Sequence, residues 1–174
     1  MKTSSATKMG TCTMRVSGEG NTMQIDLQTQ RERAIWLAAL LETDGRITLW
    51  GDRKRQTKSG NPRYISAYLS FSSDHKSVVE FAAQMFGTGR VRSYVGGTPR
   101  KPRWRWETSK PSEISIVLEM VSPFLTWKRP QATLAMEFAN ERLRRGRYAR
   151  YSQHEYELVQ QMDSLRESQR RDEL

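Results

Sequence analysis

Cysteine is almost missing from this chain: Cys12 is the only one in 174 residues. No internal disulfide can form, and an intracellular setting, cytoplasmic or organellar matrix, is the expected one. Long apolar runs are missing as well. None approaches the roughly 20 residues that cross a bilayer, so no membrane partner is expected. The opening MKTSSATKMGTCTMRVSGEG has no apolar core of a secretory signal, and without one the final RDEL is not read as a retention tag. Histidine is scarce and scattered, at His75 and His154 only. With one cysteine beside them, no soft-ligand cluster for a transition metal is available.

Acid is the other shortage. There are 29 Lys and Arg against 19 Asp and Glu, a net charge of +10. Residues 46–110 hold fourteen basic and four acidic residues, an excess of ten that equals the whole net charge. Such a local excess points to a polyanion, because Lys and Arg neutralise phosphates and release their counterions. The alternative from composition alone is a merely soluble basic surface. No small-molecule substrate is suggested.

Residues 1–29, rich in Ser, Thr, Gly and isolated Met, read as a flexible tail without sustained periodicity. From Gln30, Ile35, Leu37, Leu40 and Leu41 fall at helical spacing, and Gly45 is expected to end the helix through its conformational freedom. Two hairpins follow. In RITLWGDRKR, Ile47 and Leu49 alternate with Arg46, Thr48, Trp50 and Asp52. In RYISAYLSFS, Ile65, Ala67, Leu69 and Phe71 alternate with Tyr64, Ser66, Tyr68 and Ser70. Residues 74–87 read as a helix with Asp74 as N-cap and Gly87 closing it. In the second hairpin Val91 and Val95 alternate with Arg90, Arg92 and Tyr94, and Trp104 and Trp106, read as core, alternate with Arg103, Arg105 and Glu107. Helices resume in SEISIVLEMVSPFL and RPQATLAMEFANERLRRG, with Pro123 and Pro130 as breaks, and a last helix spans roughly 153–169.

The apolar strand faces are expected to pack on helices. The opposite face then presents arginines, tyrosines and serines with few acids, more cation than a solvated sheet needs. An antiparallel ribbon fits the major groove, where Arg reads guanine edges. Ten residues at about 3.3 Å each cover roughly ten base pairs. The residues expected to face DNA are Arg46, Thr48, Trp50, Asp52, Arg53, Arg55, Arg63, Tyr64, Ser66, Tyr68, Ser70, Arg90, Arg92, Tyr94, Arg103, Arg105 and Glu107. Trp50 is either a base or sugar contact or the edge of the ribbon. RLRRGRYAR, at the end of the second long helix, is read as touching flanking phosphates.

The stretch AIWLAALLETDGRITL places Glu42 and Asp44 at the polar tip of an apolar helix, where burial without a use is costly. LAALLETDG, Leu37 to Gly45, resembles the defining motif of the LAGLIDADG homing endonucleases: Leu37, Ala38, Leu40, Asp44 and Gly45 match, and Ala39 stands at the usual glycine. FGTGRV (86–91) and SPFLTWKRPQATL (122–134) are similar to two further anchors in the same order. The resemblance covers residues 30 to about 150, leaving 151–174 as a C-terminal helix.

The resemblance implies an α+β fold of order αββαββα, an antiparallel sheet saddle packed on helices, with the motif helix at a dimer interface through Ile35, Ala38, Ala39 and Glu42. A structural role at the helix end is the favoured one for Glu42. It further implies a site-specific endonuclease making metal-dependent double-strand breaks. Asp44 would be the catalytic acid and, with the Thr43 carbonyl, a ligand of Mg²⁺. Mn²⁺ is expected to substitute, and Ca²⁺ to bind without turnover. Lys128 falls on the family's active-site lysine, and Ser73, among Ser72 to Asp74, on the residue that organises water. One motif copy implies a homodimer on a near-palindromic double-stranded DNA site of about twenty base pairs. The alternatives on the same fold are a cleavage-inactive DNA-binding regulator and an RNA-splicing maturase.

Overall fold

The computed structural model describes residues 12–18, 21–27, 29–52, 54, 56–58, 60–94, 103–146 and 148–172. Its elements are β1 (Cys12–Gly18), β2 (Asn21–Leu27), α1 (Gln30–Thr43), β3 (Gly45–Gly51), β4 (Ile65–Ser73), α2 (Lys76–Phe86), β5 (Arg90–Tyr94), β6 (Arg103–Thr108), α3 (Pro111–Val121), α4 (Arg129–Arg145) and α5 (Gln153–Asp172). A 3-10 turn, Ser122–Phe124, follows α3. From α1 to α3 the order is the αββαββα expected from the motif, and the fold is α+β. Among the described residues no helix is long and apolar enough to cross a membrane.

The stretch expected to lack regular structure contains an antiparallel hairpin instead, with Cys12 paired to Leu27 and Gly18 to Asn21. Its signal is short, with Met14 and Val16 in one strand and Met23, Ile25 and Leu27 in the other. Such short alternation among Ser and Thr does not stand out from background.

The main sheet runs β3-β4-β6-β5, all antiparallel. Period-two alternation fixes its faces: Ile47, Leu49, Ile65, Ala67, Leu69, Phe71 and Trp106 are buried on the inner one. They meet Leu37 and Leu41 of α1, Phe86 of α2, Ile114 and Leu118 of α3, and Ala135 and Phe138 of α4 in one core. Trp106 forms a triangle of rings with Phe86 and Phe71, with centroids at 4.3 and 5.9 Å, and its indole N–H donates to the Thr88 carbonyl at 2.7 Å. Trp104 is partly buried against the same core. FGTGRV follows from this stack: Gly89 has φ +81°, and a Cβ there would fall 2.4 Å from the Trp106 indole nitrogen.

α1 starts at a capping box: Glu32 N–H donates to Thr29 Oγ1 at 3.1 Å, and Thr29 N–H to the Glu32 carboxylate at 2.8 Å. At its other end Gly45 does not act as expected. Asp44 is the C-cap, at φ −101° and ψ 0°, and Gly45 already opens β3. The glycine is needed for closeness, since a Cβ would lie 2.4 Å from the Leu41 carbonyl oxygen. Helix and strand therefore touch at their junction, and the tip cannot move independently of the sheet.

Asp74 is not the N-cap of α2. The helix starts after His75, Ser73 Oγ accepts the His75 N–H at 3.1 Å, and Asp74 pairs with Arg103 at 2.7 Å. Pro130 sits in the first turn of α4, where a missing N–H costs nothing. The last helix extends to Asp172 and lies along edge strand β3, antiparallel to it. Val159 stands near Gly51, while Arg166 and Gln169 line one cavity with Gly45 to Ile47.

Candidate functional site

The tip of α1 and the start of α4 form one unit. The Glu42 carboxylate accepts the Thr126 hydroxyl at 2.8 Å and the backbone N–H groups of Thr126 at 3.0 Å, Lys128 at 3.2 Å, and Trp127. The carboxylate thus accepts three successive N–H groups of the turn that leads into α4, ending at its N-cap Lys128, a favourable place for negative charge. Burial raises the Glu42 pKa, but the bonds from Thr126, Lys128 and Trp127 outweigh it and hold the group below its ordinary value.

The Lys128 ammonium returns the connection. It donates to the carbonyls of Leu41 at 2.8 Å and Gly45 at 2.7 Å, on either side of Asp44. Burial lowers the Lys128 pKa, opposed by the charges of Glu42 and Asp44. Lys128 is therefore half-buried under the helix tip, not an ordinary solvated helix end. Thr43 and Asp44 are exposed, and the Thr43 hydroxyl donates to the Ala39 carbonyl at 3.0 Å.

The donor set at this tip suits a hard divalent ion: an exposed carboxylate beside backbone carbonyls at the negative end of a helix. Among the described residues no group of three or more His, Cys, Asp or Glu is gathered. With the Glu42 carboxylate bonded to Thr126 and Lys128, Asp44 is the exposed carboxylate at the tip. Ser73, at the end of β4, is half-exposed, and its hydroxyl accepts the His75 N–H.

Of the α1 residues expected at an interface, Ile35 is 45% exposed and Ala39 is exposed, so both lie on the outer stripe that ends at Thr43. Ala38 is 2% exposed and packs in the chain's own core, so it is unavailable to a partner. The spacing of the motif did not distinguish these two faces of the helix. The Glu42 carboxylate is committed within the chain.

The outer sheet face carries the cations in rows set by register. Arg46, Ser70, Glu107 and Arg90 face one another across all four strands, and Ser72, Arg105 and Arg92 form the next row. Glu107 is 8% exposed and accepts from Tyr68 at 2.5 Å, Arg90 at 2.9 Å and Arg92 at 3.3 Å. It was expected to face DNA; it is instead the internal counter-charge that aims two exposed arginines outward. Thr48, Ser66 and Ser70, also expected there, are buried at 5%, 8% and 5%. Serine and threonine are too short to rise above the neighbouring Arg and Tyr side chains.

Arg105 lies over the Tyr94 ring at 4.5 Å and donates to Ser72 at 3.2 Å, which stabilises it directly opposite Arg92. Arg46, Tyr64, Arg90, Arg92 and Arg103 are exposed. Trp50, 41% exposed, packs edge-on against Tyr64 with centroids 5.8 Å apart. Arg63 is exposed and donates to the Gln56 carbonyl, and Asp52 accepts the Lys54 N–H. Arg53 and Arg55 lie outside the described residues. In the basic end of α4, Arg142 is buried and Arg144 pairs with Glu141.

Thr126, Trp127, Arg166 and Gln169 also meet at or beside this tip and were not among the expected residues. Thr126 and Trp127 lie inside the matched anchor SPFLTWKRPQATL, so they were within reach of sequence reasoning. Nothing in the sequence points α5 toward β3.

No protein-family model matches this chain, and no curated protein matches it by sequence. Solved structures do. I-CvuI, a homing endonuclease bound to the I-CreI target in Mg²⁺ with the DNA not cleaved, aligns with a TM-score of 0.58 at 15% identity, over 78% of this chain and 81% of that one. The archaeal intron-encoded homing endonuclease I-Vdi141I, complexed with DNA, aligns at 0.53 and 14% identity, over 79% and 99%. The LAGLIDADG homing endonuclease I-GzeII, with its DNA target, aligns at 0.54 and 14% identity, over 76% and 43%. The fold of this chain is therefore the LAGLIDADG homing-endonuclease fold that the motif implied.

Proposed function

We propose that this protein is a site-specific DNA endonuclease acting as a homodimer. The observation that carries the reading is the tip of α1: an exposed Asp44 between two carbonyls held by Lys128, beside a sheet face of outward arginines. A pure binder has little use for an acid aimed where phosphates would lie.

One strand pair of seven to nine residues covers roughly 25–30 Å, or about eight base pairs. Two copies related by a two-fold axis would cover about sixteen base pairs, and a near-palindrome of about twenty with those spanned between the copies. Self-association would use the outer stripe of α1, with Ile35, Ala39 and Thr43. Dimerisation would bring a second Asp44 close to the first and supply the carboxylate that one chain lacks.

Asp44 and the Thr43 carbonyl would hold Mg²⁺, which supplies charge neutralisation and an activated water for phosphodiester hydrolysis. Lys128 holds the Leu41 and Gly45 carbonyls of the tip and places positive charge beside the phosphate undergoing attack. Ser73 stands at the strand end as a water-orienting hydroxyl. Arg90 and Arg92, aimed by Glu107, together with Arg46, Arg103 and Arg105, hold the backbone and read base edges.

The test is cleavage of a plasmid library of near-palindromic sites in Mg²⁺ by wild type and Asp44→Asn, with binding of both followed in Ca²⁺. Cutting by wild type alone, with binding intact in both, supports the reading. Sequence-specific binding without cutting by either replaces it with a regulator, and preference for structured RNA with a splicing maturase.

A further inference from the structure

Behind the α1 tip lies a cavity of about 400 Å³ between edge strand β3, the start of α4 and the last turns of α5. Its wall includes Arg46, Lys128 and Arg166, the amides of Gln131 and Gln169, and the Gly45 backbone, and no carboxylate is among its lining residues. The Lys128 ammonium already donates to the Leu41 and Gly45 carbonyls and faces the charges of Glu42 and Asp44. The guanidinium groups of Arg46 and Arg166 on the same polar space, by contrast, have no carboxylate across it, an arrangement that an anion stabilises. We propose that this cavity is a phosphate-binding subsite completed by Arg166 of the last helix, and that it takes a backbone phosphate of the DNA next to the one Asp44 serves. The assignment of the phosphate to DNA rests on the nuclease reading; the anion site itself does not.

The amides supply a second observation. Gln131 is 5% exposed, its Nε2 donates to Gln169 Oε1 at 2.8 Å, and its own Oε1 has no partner among the described residues. Turning both amides over keeps the bond between them and replaces the unpartnered oxygen with an N–H. The two orientations are nearly isosteric, and an anion selects the second. Gln131 and Lys128 lie one turn apart on α4, so the Gln131–Gln169 bond ties α5 to the turn that carries Lys128. Arg166 also pairs with Asp163 at 3.5 Å, a long contact that keeps the guanidinium on this side of α5. Its planar fork suits phosphate oxygens better than a point charge would.

Two measurements on the full chain test this. In the first, inorganic phosphate is titrated at constant ionic strength while NMR follows the Arg166 Nε–H and the amides of Gly45 to Ile47. Saturable shifts that Arg166→Gln abolishes and Arg166→Lys weakens are expected. In the second, binding of the duplex target in Ca²⁺ is followed against salt. Arg166→Gln should lower the log–log slope by about 0.9 and weaken binding about three- to tenfold at moderate salt, while its melting curve stays that of wild type. No phosphate response overturns the subsite and leaves the nuclease reading standing. A phosphate response with an unchanged salt slope overturns its assignment to the DNA backbone. A phosphate response in a protein that binds no DNA keeps the anion site, with free phosphate as its ligand, and sinks the nuclease reading.

Discussion

Glu42 and Lys128, 86 positions apart, hold each other in place at both ends of one short bridge. The carboxylate accepts the Lys128 backbone N–H at 3.2 Å, and the lysine ammonium turns back to the carbonyls of Leu41 and Gly45. The tip of α1 and the turn that opens α4 are thus one mechanical unit.

Removing the carboxylate should separate stability from chemistry. Glu42→Ala leaves the N–H groups of Thr126, Trp127 and Lys128 without their acceptor, a loss of hydrogen bonds to a charged group that costs about 1–2 kcal/mol. Denaturant unfolding measures it. Cleavage should fall by about two orders of magnitude, more than DNA affinity does, because Lys128 loses its register while the arginine face stays intact.

Acid should weaken the fold through three carboxylates. Burial raises the pKa of each of Glu42, Glu107 and Glu113. Their bonds outweigh it: Thr126 and Lys128 on Glu42; Tyr68, Arg90 and Arg92 on Glu107; Lys110, Thr108 and Thr88 on Glu113. All three are held below the ordinary 4.5. A depressed folded value means the unfolded chain binds protons first. The stabilisation is therefore fully present above 4.5 and is lost as pH falls through the lower folded values. Unfolding free energy measured along an acid series should be level near neutrality and drop below that point. Glu107→Gln should make the drop shallower by up to about one proton, or about 1.4 kcal/mol per pH unit.

Gly45→Ala tests the junction. The added methyl would fall 2.4 Å from the Leu41 carbonyl oxygen, which already accepts from Lys128. Overpacking of this kind costs about 1–3 kcal/mol. Thermal melting should show the loss, and cleavage should fall further than melting alone accounts for, since the helix tip must tilt off the strand.

The docking of α5 depends on a buried ion pair. Arg142, 8% exposed, meets the fully buried Glu155 at 3.3 Å and donates to the carbonyls of Gly146 and Ala149, while Glu155 caps its own helix at Ser152. Glu155→Ala strands the guanidinium, a loss of about 3–5 kcal/mol. Hydrogen exchange should show α5 opening before the main sheet, and salt-dependent DNA binding should change as it does in Arg166→Gln.

Local chemistry made much of this molecule legible. Period-two alternation set the inner faces of β3 and β4, because a strand with one buried face has only one workable register. The glycines, prolines and helical spacing placed α1 to α5 within a few residues, and the match from Leu37 to Gly45 singled out Asp44. Tertiary structure decided the rest. Thr48, Ser66, Ser70 and Glu107 carry the outward phase in sequence yet are covered, because exposure depends on the length of neighbours on other strands. Ala38 and Ala39 are adjacent and chemically identical; one is core and the other surface, as only the direction of packing determines. The partners of Glu42 and the Gln131–Gln169 bond between α4 and α5 span long separations in the chain. Such contacts exist only once closing the fold has offset their loop entropy, so no local window of sequence contains them.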